Sequence, residues 1–221
     1  VTWGPRKAAL GVLAGLFVGA LVAPILVLPF DPDLDSLGAI LVAQLLLDVI
    51  VFATAIQIAR GGGAFDFRAA VGRLGWRRFK PSALALALGT LVAYFIAVAV
   101  YIGLFGQPHQ KDVGGELGLN KGIVGAVCAV ILIAVVAPIA EETFFRGFLF
   151  GGLRSKWPRI PAALVSGLVF GGVHAPEGPT AVVPLAILGF ALALLYEETG
   201  SLWPCILAHS VNNSLALSIA H

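Results

Sequence analysis

"VVAPIAEETFFRGFLFGG", residues 135–152, places Glu141, Glu142 and Arg146 inside an otherwise apolar run. A charged side chain at the centre of a bilayer costs about 2.5–3.5 kcal/mol on insertion scales, so such residues persist where they are paired or used. The question is therefore whether this run lies in a membrane. The whole chain answers it: 59% of the 221 residues are hydrophobic and only 12% are charged, and mean hydropathy is +0.97. Soluble domains carry about 25% charged residues. Too few charges remain to cover a water-exposed surface, which predicts an all-α, polytopic transmembrane helical bundle.

A helix needs about 20 apolar residues to cross the bilayer core. Runs of that kind fall at 8–30, 37–59, 82–106, 122–153, 160–175, 180–196 and 201–220, giving seven spans within a range of six to eight. The first is longer than a signal-peptide core and reads as a retained span. No repeat or linker divides the chain, so 1–221 is expected to be a single integral-membrane domain.

Basic residues orient it. Arg6, Lys7, Arg60, Arg68, Arg73, Arg77, Arg78, Lys80, Arg154, Lys156 and Arg159 fall on one side if the spans alternate; the opposite loops hold only Lys111 and Lys121. The positive-inside rule then puts the N-terminus in the cytoplasm. The segment 61–81 interleaves Phe65, Phe67, Val71, Leu74, Trp76 and Phe79 with basic residues. It reads as a short amphipathic helix in the headgroup region or, equally, as a basic loop held inside by its charge. No basic tail or aromatic-interleaved patch indicates nucleic acid. The small size, short loops and Ala/Leu/Val/Gly-heavy composition suggest a prokaryotic plasma-membrane protein. Cys128 and Cys205 form no CxxC pair and read as inert thiols.

The polar residues within the spans are few and clustered. The fourth run holds Glu141, Glu142 and Arg146, the fifth ends at His174, and the seventh carries His209, Asn212 and Asn213; Asp48 stands alone in the second. Glu142 and Arg146 are i, i+4 and can pair directly, as can His209 and Asn213. Glu141 points about 100° away from Glu142. Counted from Arg154 and Arg159, Glu141 and His174 each lie about 20 Å from the basic flank. A carboxylate beside an imidazole can hold a water and remove its proton. A second imidazole with a carboxamide can donate to an oxyanion. Glu141, His174 and His209 could instead hold a divalent metal such as zinc. Either chemistry hydrolyses a carbonyl compound, most simply a peptide bond. Asp48 reads as a structural polar contact, and Glu197 and Glu198 as solvated residues at a helix end.

These residues carry a resemblance. "EETFFRG" (141–147) resembles the EExxxR motif of the CAAX prenyl protease and bacteriocin-processing (CPBP, or Abi) intramembrane proteases. "FGGVH" (170–174) matches that family's FxxxH, and "HSVNN" (209–213) its HxxxN. The resemblance covers 122–220. It implies that Glu141 and His174 activate water, that His209 and Asn213 form the oxyanion hole, and that Glu142 and Arg146 support the site. It further implies an intramembrane endopeptidase, glutamate-type or metal-dependent, acting on a protein or membrane-anchored peptide near the cytoplasmic side of the bilayer. Two rivals from other classes are a proton-coupled transporter, which also uses intramembrane Glu, His and Arg, and a non-catalytic scaffold or immunity protein.

Overall fold

The structure, a computed structural model, describes residues 1–61, 66–108 and 111–220. Every apolar run of the sequence is helical. The membrane-length helices are α1 (Pro5–Val27), α2 (Leu37–Ala59), α4 (Ser82–Phe105), α5 (Gly122–Arg154) and α7 (Val182–Thr199). Shorter or more polar are α3 (Phe67–Arg73), α6 (Arg159–Val173) and α8 (Leu202–Ala220). No strand occurs among the described residues. Among the described residues five helices are thus long and apolar enough to cross a bilayer. Expectation and observation differ at α6 and α8 for physical reasons. At 15 residues, α6 is about 22 Å long against a core of about 30 Å, and α8 is diluted by the polar residues of its own motif.

Helix ends follow local chemistry. The Ser36 hydroxyl accepts from the Ala39 amide at 3.1 Å and starts α2; Asp66 does the same for α3 through Ala69 at 3.1 Å. Gly200, at φ 62°, ends α7 in the left-handed conformation. Phe65, part of the amphipathic reading of 61–81, lies outside the described residues.

At the centre, α5 contacts α1 and α2 on one side and α6, α7 and α8 on the other. Its Phe144, Phe145, Phe148 and Phe150 make the middle of the core. The tightest pairing is α6 against α7, where Gly167 lets the backbones meet: a Cβ there would lie 2.6 Å from the Ala186 carbonyl oxygen. Outward, Leu13, Phe17, Leu88, Ile96, Ile123 and Val124 are exposed, as a lipid-facing surface requires.

One end of the bundle is tied together. Arg73 donates to the Ala59 and Arg60 carbonyls at 2.9 and 2.7 Å. Ser201 donates to the Arg77 carbonyl at 2.7 Å, and Tyr196 to that of Leu74 at 3.0 Å. Glu197 and Glu198, expected to be merely solvated, pair with Arg154 and Arg159. The periodicity of one helix cannot show a partner on another.

Candidate functional site

The site begins with an irregularity in α5. Pro138 has no N–H to donate, and its ring crowds the preceding turn. The helix widens around it into π turns at Leu132–Val136 and again at Glu142–Phe150, a feature found often at functional sites. The Ala137 amide consequently reaches back to the Leu132 carbonyl. The Ile133 carbonyl thereby loses its α-helical donor, and its π-helical donor would be the missing Pro138 N–H. Asn213 of α8 fills that vacancy, donating from Nδ2 at 2.9 Å. Its Oδ1 accepts from Asn212 Nδ2 at 3.2 Å. Spacing alone had chosen Asn213 over its neighbour; the structure shows the two amides linked.

Glu142 and Arg146 pair as their spacing predicts, Nη1 to Oε1 at 2.7 Å, with both side chains 0% exposed. The same oxygen takes a second contact, His209 Nδ1 at 2.8 Å. A carboxylate oxygen shared by a guanidinium can only accept, so Nδ1 carries a proton and Nε2 is turned toward Glu141. Arg146 lies 4.4 Å from the centroid of the Phe170 ring, a cation–π contact. Phe170 also stacks near His174 and His209, with centroids 4.7 and 5.7 Å away. The apolar letter of the FxxxH pattern thus holds three polar groups in place.

Glu141 differs from Glu142. Its side chain is 19% exposed, and its two oxygens lie 3.9 Å from His174 Nε2 and 3.8 Å from His209 Nε2. Those gaps exceed a direct hydrogen bond and suit one bridged by water. His174, at the C-terminal end of α6, points Nδ1 at the Phe170 carbonyl, 2.7 Å away. A carbonyl only accepts, so Nδ1 of His174 carries a proton and its Nε2 is the nitrogen turned to Glu141. Glu141, His174, His209 and Asn213 line one cavity of about 430 Å³ together with Gln44. Behind Gln44, its Nε2 donates to Asp48 Oδ1 at 3.2 Å, the structural polar contact read from sequence. Spacing gave no sign of Gln44 or of the Ile133 carbonyl.

Among the described residues no group of three or more His, Cys, Asp or Glu side chains is arranged to hold a metal ion. Ligands about 2.0–2.2 Å from a tetrahedral zinc stand roughly 3.3 Å from one another, closer than the 3.8 and 3.9 Å separations about Glu141. Glu141, His174 and His209 as arranged do not fit a zinc site, and a metalloprotease reading gains no support from them.

Comparison with known proteins addresses the same segment. The model of a family described as type II CAAX prenyl endopeptidase Rce1-like matches residues 123–215. Over these residues the chain is similar to the Rce1-like family. The matched segment runs from the start of α5 to Leu215 of α8 and contains all three motifs. The chain is 32% identical over 142 residues to the "Putative membrane peptidase YdiL" of Bacillus subtilis, covering 59% of this chain and 57% of that protein. It is 29% identical over 150 residues to an uncharacterized protein of Mycoplasma capricolum, covering 62% and 43%. An uncharacterized 24.3 kDa protein of Escherichia coli is 26% identical over 126 residues, covering 53% and 58%. The matched part spans about half the length of these curated relatives. No solved structure matches.

Proposed function

We propose that this chain is an integral-membrane endopeptidase that hydrolyses a peptide bond at Glu141. The observation that carries the proposal is the placing of the Glu141 carboxylate between the Nε2 atoms of two imidazoles on the wall of a cavity. The Rce1-like family and the name of the B. subtilis relative support the same reading.

Water held between Glu141 and His174 gives one proton to Glu141 as its oxygen attacks the scissile carbonyl. His209, protonated on both nitrogens, donates from Nε2 to the oxygen that becomes negative, while Nδ1 stays on Glu142. The second N–H of the Asn213 amide, beyond the one held by Ile133, reaches the same oxygen. Glu141 then passes its proton to the departing amine. The chain crosses the bilayer seven times with its N-terminus in the cytoplasm, α6 and α8 completing the five longer spans. It acts as one domain.

The test uses purified protein reconstituted in lipid and offered prenylated CAAX peptides and a panel of leader peptides. Wild type is compared with Glu141→Gln, each with and without a chelator. Cleavage by wild type that the variant lacks, unaffected by chelation, is the expected result. Cleavage that needs a restored metal would overturn water activation by Glu141 and His174 alone. No cleavage of any peptide by folded protein would overturn the peptidase.

A further inference from the structure

The cavity is closed at one end and extended at the other. Below Glu141, toward Arg154, α5 is sealed: Glu142, Thr143, Phe144, Arg146 and Phe148 are each 0% exposed. Above it, the walls lead away from that plug. On α5 they run from Glu141 through Ala137 to Ile133 and Leu132, back toward the start of the helix. On α8 they run from His209 through Asn213 to Ala216 and Leu217, toward its end. The same cavity is lined by Lys111 to Gly114 of the connection between α4 and α5. The start of α5, the end of α8 and the described residues 111–114 of that connection all lie at one end of the bundle. The clustered cations, from Arg60 to Lys80 and from Arg154 to Arg159, lie at the other.

Depth agrees. His174 closes a 15-residue helix that starts at Arg159, so it stands about 22 Å from the basic end. In a core of about 30 Å that is past the midplane. The positive-inside rule puts the basic end in the cytoplasm.

We propose that the site is reached from the extracytoplasmic side, and that its substrates are peptide segments presented there rather than cytoplasmic C-termini of prenylated proteins. The substrate half of this rests on the peptidase reading above; the side of access does not. On this proposal cleavage falls at the face opposite the basic end, in place of the cytoplasmic side that the resemblance implies.

Access and catalysis are tested separately. In a Cys128→Ser background, with Cys205 buried, single cysteines replace Lys111 at the rim, Leu217 in the cavity wall and Lys156 at the basic end. A membrane-impermeant maleimide is applied to intact cells and to everted vesicles. The variants at 111 and 217 are expected to react in intact cells, and the one at 156 only after eversion. Reaction at 111 and 217 confined to everted vesicles would overturn the proposal. A quenched, impermeant leader-peptide panel is then added to proteoliposomes sorted by orientation. Cleavage only where the Lys111 face is outward supports the substrate class, and cleavage only at the basic face overturns it. Outward labelling with no cleavage at either face would leave the access side standing and remove the peptidase and its substrate.

Discussion

Adjacent glutamates occupy opposite energetic situations in this site. Glu142 accepts from both Arg146 and His209 with no exposed surface. Removing it strands a buried guanidinium, which costs about 3–5 kcal/mol in comparable buried pairs. Glu142→Ala should therefore lower the unfolding temperature in detergent sharply, and lose cleavage as a consequence. Glu141 makes no contact shorter than 3.8 Å to either imidazole, so Glu141→Ala should abolish cleavage while leaving the unfolding temperature unchanged or raised. Equal loss of stability in both would mean that Glu141 is structural. Phe170 lies between these cases. Phe170→Leu gives up a desolvated cation–π contact of about 2 kcal/mol and frees both imidazoles, so unfolding temperature and turnover should fall together in the same assays. Sequence carried the Glu142–Arg146 pair because one helix supplies both partners. It could not carry the bond from His209 to Glu142, which joins residues from α8 and α5 and exists only once the helices pack.

Within α5 the π turns couple Pro138 to Asn213. Asn213 satisfies the Ile133 carbonyl because Pro138 cannot donate. Asn213→Ala alone should cost about 1–3 kcal/mol for the buried acceptor it leaves. Pro138→Ala restores an N–H to α5, so in that background the same change should cost less. A double-mutant cycle on unfolding free energy should therefore show a coupling of about 0.5–3 kcal/mol; strict additivity would mean the two residues act independently. The seam between α6 and α7 offers a second check on how an element positions the site. Gly167→Val must displace the Ala186 backbone, and overpacking of this sort costs about 1–3 kcal/mol. Because the shift moves α6, whose C-terminal end carries His174, cleavage should fall by more than the stability loss explains. Apolar runs announced the helices within a few residues of their ends. The π winding left no such mark, since it depends on where the freed carbonyl finds a donor.

At the scale of the whole molecule, the site draws on the shorter and more polar helices of the bundle. Of the helices outside the five membrane-length spans, α6 and α8 bring His174, His209 and Asn213 to Glu141. Hydropathy is a poor guide to both for the reason they matter: α6 stops early to present an imidazole, and α8 exchanges apolar residues for polar ones. A helix of 15 residues reaches only about 22 Å into a core of about 30 Å. The bilayer beside it must thin, or water must enter above His174, at a modest cost for each ångström of mismatch. A thinner bilayer lowers that cost and shortens the path from the aqueous face to Glu141. Cleavage by wild type in phosphatidylcholine vesicles should therefore rise as monounsaturated acyl chains are shortened from 22 toward about 14 carbons, a series that spans the core thickness. The effect should appear in kcat more than in KM if it acts through water reaching Glu141 and His174. A rate independent of chain length would mean that neighbouring helices shield α6 from lipid and that the cavity fills with water regardless of bilayer thickness.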